Sequence, residues 1–146
     1  MRRAATVLVL LATVLAAADL GHKALALADG GGGVLADERS LLYALGAPVA
    51  ALALGVALAA TRSLLLTTAG AVVVAGALAN AISLVLWPSY DGVPNPFFAG
   101  DEVRGIAFNL ADVFLVIGGL LLLPTATLVF AARNRERLGE RVSLRR

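Results

Sequence analysis

Four apolar runs, residues 4–28, 41–60, 64–87 and 106–132, leave this chain few places to fold other than a lipid bilayer. About twenty apolar residues make a helix of about 30 Å, the thickness of the hydrocarbon core. Without water in that core, each backbone N–H and C=O must bond within its own segment, so runs of this length span as helices. At 60% hydrophobic residues and a mean hydropathy of +0.88, the 146 residues also lack the polar surface to clothe a soluble domain. The expectation is an all-α membrane protein: one integral membrane domain over residues 1–146, with four transmembrane helices and a basic tail over 133–146.

The connections support this order. Met1-Arg2-Arg3 and the run Ala4 to Ala18 have a shape shared by secretory signal peptides and first spans. The residues alone leave both readings open; apolar character resumes at Ala24 to Ala28, and a retained span would carry Asp19 and Lys23 near the outer interface, with the Lys23 ammonium snorkelling toward water. Asp19 and Lys23 stand four apart, acid first, so on a helix they share a face as an interfacial ion pair. The glycines 30–33 break the helix, and Thr61-Arg62-Ser63 is a tight connection that makes the second and third spans antiparallel. Pro48 and Pro124 predict bends in the second and fourth spans. Residues 88–104 form a proline-broken loop whose Phe97 and Phe98 are expected to dip back to the membrane surface, with Trp87 and Tyr90 as an interfacial aromatic belt.

Charge sets the orientation. Nine of the twelve basic residues (Arg2, Arg3, Arg62, Arg133, Arg135, Arg137, Arg141, Arg145, Arg146) fall on one side of a four-span arrangement, whereas Lys23, Arg39 and Arg104 fall on the other with most of the acids. By the positive-inside bias both termini are cytoplasmic. This distribution fits membrane lipids as partners and not nucleic acid. The absence of cysteine excludes disulfides and thiolate chemistry, and with His22 as the single histidine neither a metal centre nor a cofactor is expected.

The polar residues inside the spans are few. Asp112 opens an apolar run, and an acid there costs about 2.5–3.5 kcal/mol to insert, so it marks a functional site by default. Asn109 lies three residues before it, and Asn80 and Ser83 lie three apart in the small-residue-rich third span. Either hydrogen bonding between spans or contact with a substrate would account for the two asparagines.

In this setting Asp19-x-x-x-Lys23, Gly76-x-x-x-Asn80, a long outer loop and Phe108-Asn109-x-Ala111-Asp112 resemble, in order, the motifs of the signal peptidase II family, the lipoprotein signal peptidases of bacterial cytoplasmic membranes. The resemblance implies a multi-pass bacterial membrane protein whose outer loops form a small β-structure. It also implies an aspartic peptidase in which two aspartates hold a water and cut before the lipid-modified cysteine of a prolipoprotein. Two carboxylates are needed because crowding separates their titrations, so that one is ionised while the other keeps a proton to give to the leaving amine. Asp112 matches the second aspartate. Where the family pattern has Asp and then Arg, three and four residues after Asn80, this chain has Ser83 and Leu84. Ala79 stands where a glycine is usual, and the motif expected before the second span is not evident around Arg39 to Ala47.

The expected catalytic apparatus is therefore Asp112 with its partner position lost to Ser83, and Asn80, Asn109, Asp19, Lys23 and Gly76 are the candidate substrate-binding residues. This is the pattern of a pseudoenzyme, a degenerate paralogue that keeps the fold and binds a lipidated prolipoprotein signal peptide, lipid or another membrane protein. The alternatives are an active lipoprotein signal peptidase that recruits Asp91, Asp101 or Glu102 from the outer loop, and a purely structural four-helix membrane protein. A Ser83 hydrolase is not expected, because Lys23 and His22 lie on another helix with no motif to bring them to it.

Overall fold

A computed structural model of the chain describes residues 2–29, 35–37, 41–90, 92–100 and 105–135. The described residues form four helices: α1 (Arg2–Ala28), α2 (Leu41–Ala60), α3 (Leu64–Leu86) and α4 (Leu110–Arg133). α1, α3 and α4 are each long and apolar enough to cross a membrane, and α2 carries a shorter apolar stretch, Ala44–Ala60. The chain is thus a multi-pass membrane protein. Its outward faces are apolar, with Leu42, Val85, Leu120 and Leu128 all more than 70% exposed. In water such a surface would be a liability; against lipid tails it costs nothing.

α3 is the hub. Its apolar window is 61% buried inside the protein against 11% for α4, because α1, α2 and α4 all pack on it. Small residues make this possible: Ala71, Ala75 and Ala79 are fully buried, so three neighbours approach one backbone closely. The tightest approach is at Gly76, where an added Cβ would stand 2.5 Å from the Ala111 carbonyl oxygen and 2.8 Å from Leu115 Cγ. Only glycine lets the first turn of α4 seat there.

Ser63 caps α3 by accepting from the Leu66 N–H. The turn before it holds Arg62 at φ 61°, a left-handed conformation that costs a non-glycine residue about 1–2 kcal/mol. Between the helices the chain makes four short strands: β1 (Leu35–Asp37) between α1 and α2, and β2 (Val93–Asn95), β3 (Phe97–Ala99) and β4 (Ile106–Phe108) between α3 and α4. β1 pairs antiparallel with β2, and β3 with β4, giving two small two-stranded sheets on the side of the bundle where Asp112 lies. The apolar run that begins at Ile106 therefore becomes helical only at Leu110, because residues 106–108 spend their backbone groups on 97–99.

Pro124 does not simply bend α4. The helix widens into a π segment over Ile117–Leu122, with the Leu123 N–H reaching back five residues to the Gly118 carbonyl. Proline removes one donor and crowds the carbonyl four residues before it, and the wider turn absorbs both.

If Gly76 is the seat of α4, Gly76→Ala should lower stability by about 1–3 kcal/mol through overpacking. Gly21, with open space around its Cβ position, serves as the control: Gly21→Ala should be neutral or slightly stabilising. Thermal unfolding of both variants in the same detergent checks this, and equal behaviour would contradict the α3–α4 packing.

Candidate functional site

The Phe108-Asn109-Leu110-Ala111-Asp112 stretch is first of all a helix start. Asn109 is the N-cap of α4: its Oδ1 accepts from the Asp112 N–H at 3.0 Å, and Asp112 Oδ2 accepts from the Asn109 N–H at 3.2 Å. This reciprocal capping box satisfies two donors that the first helical turn cannot use internally. It also fixes the Asp112 carboxylate in place at the positive end of the helix dipole. Asn109 itself is fully buried, and its Nδ2 donates to Asn95 Oδ1 at 2.6 Å. Its side chain is thus used up within the fold. Asn95, at the end of β2, was not marked by the sequence reading; an asparagine in a proline-rich loop is ordinary, and only the fold shows it 2% exposed and bonded to the cap.

The second half of the site comes from α1 and α3. Asp19 and Lys23 are both fully buried and form an ion pair at 2.7 Å. The pairing matches the helical spacing, but the expected snorkelling does not occur: the Lys23 ammonium points inward. It donates to Asn80 Oδ1 at 3.0 Å and to Ser83 Oγ at 2.9 Å. The reason is electrostatic, since α3 offers two oxygen acceptors in the bundle while Asp19 supplies the countercharge. Asp19 Oδ1 in turn accepts from the Ala111 N–H at 2.9 Å, another otherwise unpaired donor of the first turn of α4.

Asn80 joins the halves. Its Oδ1 faces Lys23, and its Nδ2 donates to Asp112 Oδ1 at 2.9 Å. Asp19, Lys23, Asn80, Ser83, Asn109 and Asp112 therefore form one polar cluster across α1, α3 and α4. Gly76 lies one turn below Asn80 and sets the helix separation that this cluster needs. Ser83 and Asp112 share the cluster, linked through Lys23 and Asn80.

Above the cluster, His22 stacks on Phe97 with ring centroids 4.6 Å apart, and Phe97 lies 5.4 Å from Phe108. Phe97 thus docks on α1 and does not lie on the membrane, whereas Phe98 remains 49% exposed. Asp91, Asp101 and Glu102, the loop acids considered as replacements, lie outside the described residues.

Asp112 is only partly buried. It forms part of the wall of an open groove of about 450 Å³ whose other lining residues are Ile106, Ala107, Phe108, Val113, Val116 and Ile117. Among the described residues of this lining it is the one ionisable side chain. The groove is otherwise apolar and opens on the outer face of α4, where Val116 is 54% exposed.

With this geometry in hand, the comparison with known families is informative: the chain matches the family model for Signal peptidase (SPase) II over residues 24–128. The chain belongs to the signal peptidase II family. Neither curated proteins nor solved structures give a significant match. The family match takes in Gly76, Asn80, Ser83, Asn109 and Asp112 but begins one residue after Lys23. The Asp19–Lys23 pair lies outside the matched residues and is joined to Asn80, Ser83 and Ala111 within them by contact.

The geometry brings Lys23 to Ser83, which sequence reasoning did not foresee. It still does not make a serine nucleophile. Lys23 donates to Ser83, and the Ser83 hydroxyl donates to the Ala79 carbonyl at 2.7 Å, whereas a general base would have to accept from the hydroxyl. Asp19, Asn80 and Ser83 each accept from the ammonium, which has hydrogens to donate and no lone pair with which to act as a base.

Removing one member of a buried ion pair strands the other charge. Lys23→Met should therefore cost about 3–5 kcal/mol, and the double variant Asp19→Leu/Lys23→Met should recover a large part of that loss. Denaturant unfolding of the singles and the double in one detergent measures the coupling; additive losses would mean that the pair is not buried.

Proposed function

We propose that this signal peptidase II family member is a non-cleaving paralogue, seated in the bacterial cytoplasmic membrane with both termini on the cytoplasmic side, which holds lipid-modified signal peptides without hydrolysing them. The observation that carries this reading is at position 83. A hydroxyl stands where the family pattern has its first catalytic acid, and that hydroxyl is engaged by Lys23 and the Ala79 carbonyl.

Serine does not titrate near neutral pH, so it cannot share a proton with Asp112 in the way a second carboxylate would. Asp112 alone can orient a water, but nothing at position 83 can protonate the departing amine. Placed proton transfer contributes about 10²–10⁴ in rate, and a dyad acts as a unit, so losing one member removes more than half of its effect.

Binding does not require the dyad. The described lining of the groove beside Asp112 is otherwise apolar and has the Asp112 carboxylate at its head, which suits an acyl-bearing peptide approaching laterally from the bilayer. Asn80, Asn109, Asp19, Lys23 and Gly76 act in this reading by positioning Asp112 and the start of α4, and their buried side chains are not offered to the ligand.

The test uses a purified diacylglyceryl prolipoprotein. The natural chain should bind it, as read by photo-crosslinking from position 116, and leave it intact. The variant Ser83→Asp/Leu84→Arg should acquire cleavage that is abolished by adding Asp112→Asn. Cleavage by the natural chain that depends on Asp112 would overturn the proposal. A folded restored variant that binds without cutting would show that position 83 is not where activity was lost.

A further inference from the structure

α1 and α2 both lie along α3 but touch each other over little of their length. They meet at Gly55, where an added Cβ would stand 2.7 Å from Val74 and 3.2 Å from Leu8. Beyond that contact, at the end of the bundle away from Asp112, they leave an open cleft of about 330 Å³. Ala5, Leu8, Val56, Ala59 and Ala60 line it, with Arg2 at its mouth. The small alanines on both helices are what keep it from closing.

Among the described residues the charge at this end is of one sign. All five arginines among the described residues, Arg2, Arg3, Arg62, Arg133 and Arg135, stand here by helix direction, whereas the described acids, Asp19, Asp29, Asp37 and Asp112, stand elsewhere. Arg62 follows Ala60 by two residues and holds the left-handed conformation that glycine would adopt without strain. Arg62 thus stands where α2 turns back, two residues beyond Ala60 of the cleft lining. Arginine is the side chain best matched to a phosphate, since its planar fork donates two parallel hydrogen bonds.

We propose that this cleft is a binding site for an anionic phospholipid, with one acyl chain between α1 and α2 and the phosphate held by Arg2 and Arg62. The apolar lining selects a lipid over a free phosphate. The two guanidiniums select an anionic headgroup over one that carries its own ammonium. The chain packed along Leu8 and Val56 would fill the gap that the two helices leave and so join them on the side remote from the candidate peptide site.

Native mass spectrometry of the full chain in neutral micelles, titrated with phosphatidylglycerol or phosphatidylcholine of equal chain length, tests this. Phosphatidylglycerol should be retained about tenfold more strongly. Arg2→Gln and Arg62→Gly should each reduce that preference by about fivefold, the contribution of one arginine at a membrane surface. The glycine variant is chosen because it suits the backbone at position 62. Ala59→Phe, which fills the cleft, should abolish retention of the adduct, and Arg135→Gln, outside the cleft, should leave it unchanged. Equal retention of the two lipids would overturn the proposal. So would a loss in Arg135→Gln as large as in Arg2→Gln, which would indicate a diffuse basic surface.

Discussion

The structure depends on one buried cation. Lys23 carries a full charge into a bundle whose surroundings are hydrocarbon, and it is held there by Asp19 on its own helix and by Asn80 and Ser83 on α3. An unpaired ammonium in such a place would be too costly to keep. Asp19 also receives the Ala111 N–H and Asn80 reaches Asp112, so the same cluster docks the start of α4. The three helices that converge on the site are therefore located by polar bonds, in an environment where apolar burial gives helices little reason to prefer each other over lipid.

In the proposed reading, the change at positions 83 and 84 is an electrostatically neutral excision. The family pattern has an acid followed by an arginine; Ser83 and Leu84 remove one charge of each sign. Lys23 keeps its countercharge in Asp19, Asn80 keeps both of its amide partners, and the capping box of Asn109 and Asp112 does not involve position 83. In that reading, loss of the dyad is separated from loss of the fold. The groove at Asp112 is preserved because its wall comes from β4 and α4, on which Ser83 does not bear.

Much of this was legible in the residues. Run length predicted the spanning helices, the i,i+4 spacing predicted the Asp19–Lys23 pair, and small residues predicted close packing on α3. The resemblance to signal peptidase II implied the small outer β-structure. What was not legible was non-local. Whether Lys23 turns outward to water or inward depends on acceptors 57 and 60 residues away. The four-residue delay in the start of α4 depends on a strand partner across a loop. Asn95 had no local signal at all. The capping box does carry a local signal, since Asn-x-x-Asp before an apolar run is its signature.

Lys23 is the only lysine in the chain, which makes the central cluster accessible to one spectrum. Solid-state NMR of protein labelled with ¹⁵Nζ-lysine in lipid bilayers should give a single side-chain ammonium signal, shielded from exchange with water and correlated through space with the side-chain carbonyl carbon of Asn80 and the carboxyl carbon of Asp19. An ammonium signal that exchanges freely with water and shows neither correlation would contradict the account.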